Sequence, residues 1–161
     1  MLLVGSCHCQ KVRFRLESAH PYPFNLCYCN VCTKTAGGGG YVINLSGDSR
    51  TLDCEGREHV STYRAELLDE KGVIKKSTAE RNFCTTCGSA LWLWDPTWPE
   101  LIHPFASAID TELPTAPEKT HLMVAFRASW VDCNIGGDDK VYENCPEESI
   151  EDWHKRLDLQ C

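Results

Sequence analysis

The sequence predicts a single mainly-β domain with one short C-terminal helix, and three observations carry that expectation. Short runs rich in strand formers recur along the 161 residues. Eleven glycines and eight prolines punctuate them. Only one segment, near the C-terminus, has helical periodicity. No internal repeat and no linker divides the chain, and its length suits one domain with one core. An apolar content of 42% with 24% charged residues fits a globular protein.

In chain order, Lys11–Leu16 (KVRFRL) alternates, with Val12, Phe14 and Leu16 on one face. Gly37–Gly40 is a four-glycine loop, able to adopt backbone conformations closed to other residues. Tyr41–Leu45 (YVINL) and Val60–Tyr63 are rich in strand formers. Leu91–Trp94 (LWLW), bounded by Asp95-Pro96, and His121–Phe126 (HLMVAF) are apolar runs of strand length. Glu147–Leu157 reads as the helix: Ile150, Trp153 and Leu157 recur at helical spacing behind Pro146 and Ser149.

A formal charge of -7 and a pI near 5.3 argue against a nucleic-acid or anionic-membrane binder. No run of eighteen apolar residues exists to span a bilayer. The opening MLLVGSCHC lacks a basic n-region and is too short for a signal h-region. The expected compartment is therefore the reducing cytoplasm, where clustered cysteines are metal ligands rather than disulfides. Geometry agrees, because cysteines two or three positions apart are poorly placed to bridge each other.

Seven of the eleven cysteines fall into three tight clusters: Cys7 with Cys9, Cys27 with Cys29 and Cys32, and Cys84 with Cys87. Four thiolates complete a tetrahedral zinc site, whereas three leave one position open. The first and last pairs are expected to hold one structural zinc. Cys84-x-x-Cys87-Gly88 is a knuckle turn, and Cys7 and Cys9, two apart on a strand, would face one side. Such a site would close a loop of about 75 residues, making binding energy folding energy. Buried cysteines without metal, or a different partition of the seven, are the alternatives. The triplet is ambiguous alone, since its fourth ligand could be water, a thiol substrate or another side chain. Cys54 and His8 are the nearest candidates, and closure by Cys54 would make that site structural too.

The three motifs resemble those of the glutathione-dependent formaldehyde-activating enzyme family, which also contains centromere protein V. Gly5-Ser6-Cys7-His8-Cys9 followed by Val12-Arg13-Phe14 is similar to its first motif. Cys27-Tyr28-Cys29-Asn30-Val31-Cys32-x-Lys34 and its glycine stretch are similar to the second, and Phe83-Cys84-Thr85-Thr86-Cys87-Gly88-Ser89-x-Leu91 to the third. The likeness runs from about Gly5 to Trp130, leaving 131–161 as an extension within one domain, 1–161. The resemblance implies a β-tent fold, two antiparallel sheets meeting around zinc. It also implies two zinc ions per chain: a structural one at Cys7, Cys9, Cys84 and Cys87, and a catalytic one at Cys27, Cys29 and Cys32. The implied activity is that of a carbon–sulfur lyase joining glutathione and formaldehyde, a small-molecule reaction without nucleic acid or membrane. A lyase or isomerase for another carbonyl compound, and a non-catalytic zinc module that binds protein, are the alternatives. The chromatin role of centromere protein V is disfavoured by the lack of a basic tail.

Other residues carry weaker expectations. Lys34 and Arg64 could meet substrate carboxylates but also read as surface charges, and Gly37–Gly40 could admit a carboxylate but also reads as a mobile loop. His103 is the one candidate acid or base, set against a hydrogen-bonded core role. Asp95 reads as a turn former. Trp92, Trp94 and Trp98 read as core with a possible pocket role. Cys133, Cys145 and Cys161 receive no catalytic role.

Overall fold

The computed structural model describes residues 1–68 and 71–159. Alternation builds its first sheet. Leu2–Ser6 and Arg13–Glu17 pair antiparallel, with Leu3, Phe14 and Leu16 turned inward and their neighbours outward. Asp53–Glu55 adds a third strand beside Arg13–Arg15.

A central antiparallel sheet of five strands runs in the order Gly47–Asp48, Leu101–Pro104, Ala90–Trp94, Glu80–Cys84, Val60–Tyr63. A bulge marks its middle. Pairing passes from Asn82 opposite Trp92 to Phe83 opposite Ala90, so Leu91 is extra. Leu91 and Trp92 therefore both enter the core shared with the first sheet, while Ala90 and Leu93 pack on the other side. Phe14 meets Trp92 edge-on with ring centroids 5.1 Å apart, worth about 0.5–1.5 kcal/mol beyond area burial.

On that other side lies a four-stranded sheet, ordered Lys140–Val141, Lys119–Leu122, Phe24–Cys27, Val42–Asn44. Lys119–Leu122 runs parallel to both its neighbours, a pairing that requires a long return of the chain. A ribbon of Glu66–Leu68 with Ile74–Lys76 completes the sheets. The mainly-β expectation holds, and the sheets differ in detail from two antiparallel ones: hydrogen bonding divides the described strands into four sheets, one of them mixed.

The helix expected over Glu147–Leu157 forms as α2 over Ile150–Arg156, capped by Ser149 Oγ, which accepts from Asp152 N–H at 3.0 Å. It buries Trp153, and Arg156 pairs with Glu118 and Glu148. A second helix, α1, spans Asn30–Thr35 and was not expected. Four of its six residues are β-branched or Asn, poor helix formers, and the Cys29 sulfur caps it by accepting from Cys32 N–H at 3.4 Å. The strand expected over His121–Phe126 ends at Leu122, where Met123 takes a positive φ and Val124–Phe126 turns. Gly37–Gly40 forms a turn after α1, closed by Gly40 N–H on Gly37 O at 2.8 Å. Gly40 has φ +91°, and a Cβ there would come within 2.1 Å of Val131 Cγ2.

Candidate metal centres

The chain brings all seven clustered cysteines into two groups, on opposite faces of the central sheet. Cys7, Cys9, Cys84 and Cys87 have their sulfurs within 4.8 Å of one another. Two turns build this group. Cys84 ends a central strand, its N–H bonded to Ser89 O at 2.9 Å while Gly88 N–H returns to Cys84 O at 2.8 Å. Gly88 has φ +74° with open space beside its Cα, so the glycine is required by conformation and not by crowding. Cys7 and Cys9 lie past the end of the first strand, in a matching turn. Cys7 N–H bonds Val12 O at 3.0 Å and Gln10, with φ +61°, closes back on Cys7 O at 2.9 Å. The expectation that strand alternation aligns Cys7 and Cys9 is thus corrected, since a turn converges them.

The donor geometry fits a metal. A tetrahedral zinc–thiolate site with bonds of about 2.3 Å needs sulfurs about 3.8 Å apart. Cys7 and Cys9 are 3.5 Å apart and Cys9 and Cys84 3.8 Å. Ser89 prepares the fourth donor, its hydroxyl and backbone N–H pulling the Cys87 thiol down to about 5.

Cys27, Cys29 and Cys32 form the second group, again within 4.8 Å of one another. Cys27 ends the strand Phe24–Cys27, Cys29 caps α1, and Cys32 sits one turn in. Hydrogen bonds from the Cys27 and Cys32 thiols pull the Cys29 thiol well down, while the bonds to Cys29 and Cys32 and burial push Cys27 far up. Three sulfurs this close are a donor set suited to a borderline-soft cation. Among the described residues no fourth His, Cys, Asp or Glu joins them. Cys54 packs on the opposite side of the sheet with Phe14 and Trp94, and His8 is exposed beside the four-cysteine group. Both are corrected as fourth-ligand candidates.

A hydrogen-bonded chain braces the triplet from behind. The buried Tyr28, between Cys27 and Cys29, bonds His121 Nδ1 through its hydroxyl at 2.8 Å. His121 Nε2 lies 3.2 Å from Asp139 Oδ2. Burial raises the Asp139 carboxyl, but hydrogen bonds from Lys119 and Gly136 N–H and from His121 bring it net below the usual range. An ionised Asp139 accepts only, so His121 Nε2–H donates to it, and Nδ1 faces the Tyr28 hydroxyl.

A cavity of about 400 Å³ shares a wall with the triplet. Phe105 and Ala90 line it and also pack on Cys27 and Cys32. Thr35, Tyr63, Phe83 and Arg81 complete most of its rim. A larger cavity, about 500 Å³, lies on the opposite face against Cys54, Trp92 and Trp94. The smaller one is the candidate for chemistry because it adjoins the incomplete ligand set, whereas the larger adjoins the core of the complete one.

The sequence model of the glutathione-dependent formaldehyde-activating enzymes matches residues 2–125. The chain belongs to that family. A Halomonas elongata protein, named provisionally as a glutathione-dependent formaldehyde-activating enzyme, is 56% identical over 160 residues, covering 99% of each chain. A solved Rhodobacter sphaeroides structure covers 71% of this family member and 92% of its own chain, at 22% identity and a TM-score of 0.52, which speaks to fold alone. No helix among the described residues is long and apolar enough to cross a membrane.

The remaining expected residues separate cleanly. His103 Nδ1 lies 2.9 Å from Leu45 O, and burial pulls its pKa below the ordinary imidazole value, the core role. Asp95 accepts from Thr97 N–H at 2.9 Å and from Thr78 Oγ at 2.9 Å, a turn former. Arg64 is engaged by Glu80, and Lys34 is exposed on the last turn of α1. Trp92 is core, Trp94 lines only the larger cavity and donates to Pro99 O at 3.1 Å, and Trp98 is exposed. Cys133 and Cys145 lie outside both groups, and Cys161 lies outside the described residues. Every described cysteine is free of disulfides. Three participants carry no signal in the sequence, His121, Asp139 and Arg81, because each takes its meaning from partners that the fold brings together or withholds.

Proposed function

We propose that the chain is a carbon–sulfur lyase that reversibly joins glutathione and formaldehyde into S-hydroxymethylglutathione, with zinc as the metal at both cysteine groups. The observation that carries this reading is the incomplete ligand set of Cys27, Cys29 and Cys32 beside a cavity, in a chain of this family. In the forward direction a bond forms between the glutathione sulfur and the carbonyl carbon. The carbonyl π pair moves to oxygen, and the thiol proton ends on that oxygen, so atoms and electrons balance without a redox partner. Zinc at the triplet would supply Lewis acidity, which polarises a carbonyl or favours the thiolate form of a substrate thiol.

The protein's own residues do the rest. Cys29 at the cap of α1 and Cys27 at a strand end fix two sulfurs on separate elements, and Cys32 supplies the third. Tyr28, held by His121 and Asp139, prevents the Cys27–Cys29 segment from rotating. Phe105 and Ala90 keep water from the near wall of the cavity. Cys7, Cys9, Cys84 and Cys87 would close around the structural zinc, and residues 131–159 belong to the same domain, since Asp139 and His154 bond back to His121 and Tyr22. A reducing cytoplasm suits both thiolate sets.

Exchange spectroscopy by NMR on mixed formaldehyde and glutathione tests the reading. Added protein should accelerate exchange above the spontaneous rate, and Cys32→Ser protein should not. A wild-type rate equal to the protein-free control would overturn it.

A further inference from the structure

Arg81, on the strand Glu80–Cys84 of the five-stranded sheet, has no carboxylate partner among the described residues, and its charge acts instead on the Cys32 thiol. Its cross-strand neighbours are Tyr63 and Leu93, and His103 stands opposite Leu93, so these four form a row across one face. Leu93 in that row packs on the apolar cluster around Cys27 and Cys32, which fixes the face as the one toward the triplet. Arg81 itself is half-buried at the cavity's edge, with Nε and Nη1 both buried and neither making a hydrogen bond. Other arginines of the chain show what is missing: Arg15 pairs with Asp53, Arg50 with Asp48, Arg64 with Glu80, and Arg156 with Glu118 and Glu148.

A buried N–H without an acceptor costs roughly 1–3 kcal/mol, and more on a charged group. A fold that keeps two such donors on one guanidinium, in a residue that lines a cavity, leaves that guanidinium available to an acceptor on a ligand. The end of the guanidinium, where Nη1 and Nη2 donate side by side, is a fork that matches the two oxygens of a carboxylate. Among the described residues on the cavity's rim no other cation is present, since Thr35, Tyr63, Asn82 and Phe83 are neutral.

We propose that Arg81 anchors a carboxylate of the thiol substrate and so selects anionic thiols over neutral ones. The assignment rests on the thiol-addition reading above for the identity of the ligand. It makes Arg81 a binding residue, separate from the cysteines that hold the metal.

Calorimetric titration of zinc-loaded protein with glutathione and with glutathione diethyl ester, in which both carboxylates are blocked, tests it. Wild-type protein should bind glutathione at least about tenfold tighter than the ester, the scale of one ion pair at a partly buried site. Arg81→Gln should bind the two alike while keeping its zinc content, and Arg81→Lys should retain part of the preference. Three results would overturn the assignment: no preference in the wild type, a full preference surviving in Arg81→Gln, or loss of the triplet's zinc from Arg81→Gln, which would make the guanidinium a counter-charge for thiolates. The wild-type comparison needs no variant, and an absent preference there overturns the assignment even if the variants do not fold. A clear glutathione preference together with no accelerated formaldehyde exchange would retire the lyase reading and leave the carboxylate anchor standing.

Discussion

The four-cysteine and three-cysteine groups occupy opposite faces of one sheet, and burial alone would rank them the wrong way round. In the first, Cys7 and Cys84 are buried, but Cys87 is exposed and Cys9 partly so. In the second, Cys27 and Cys32 are buried and Cys29 partly so. Yet the more exposed group is chemically complete, since four sulfurs satisfy a tetrahedral ion. The more buried group stops at three and borders a cavity. Ligand count decides whether a metal is available to a substrate, and the sheet keeps the two outcomes apart.

Cutting one ligand from each group should produce opposite failures. Cys84→Ser removes a donor from the group that ties the first strand's end to the central sheet. Metal binding of this kind is worth about 10–16 kcal/mol, as much as a domain's whole stability. Circular dichroism should show a chain that is unfolded or melts far below wild type, whereas a native spectrum and melting point would deny that the site holds the fold. Cys32→Ser should leave the spectrum native, lose one metal per chain, and lower turnover by more than about a hundredfold, since even changes beyond the ligands cost about 10–100-fold.

Smaller changes sharpen the contrast within the triplet's own support. Asp139→Ala leaves the N–H groups of Lys119, Gly136 and His121 without their acceptor. Urea unfolding should show a loss of about 1–3 kcal/mol, with the triplet's metal released more readily than that of the four-cysteine group. Equal release from both would show that the Tyr28–His121–Asp139 chain does not brace one site in particular.

The smallest effect lies farthest from either metal. Arg156 holds the Glu118 carboxyl below the ordinary carboxylate range. A depressed acid contributes stability that is present above its unfolded pKa and is lost as pH falls through the lower folded value. Glu118→Gln should therefore cost about 1 kcal/mol near pH 7, the pair being screened on its Arg156 side, and the gap to wild type should close below about pH 4. A gap that persists in acid would contradict this ion pair.

Much of this division was legible in the sequence because metal ligands cluster locally. Cys27-x-Cys29-x-x-Cys32 and Cys84-x-x-Cys87-Gly88 declare themselves within six residues, and so do alternating strands such as Arg13–Glu17. What converges Cys7 with Cys9 was misread, because a turn closed by Val12 O replaces strand alternation there. Helix α1 was hidden by its β-branched residues and depends on a cap from Cys29, a cysteine outside the usual capping set. Arg81 and the Tyr28–His121–Asp139 chain could not be read, since their meaning comes from partners brought together, or withheld, by the fold.

Staged metal removal, with zinc content, dichroism and formaldehyde exchange followed on one sample, tests the division most directly. The first equivalent of zinc should leave on mild chelation and take the activity with it while the β-sheet spectrum stays native, and the second should leave only as the chain unfolds. Both ions departing together on unfolding, or activity surviving loss of the first, would contradict the assignment of one metal to the fold and the other to the chemistry.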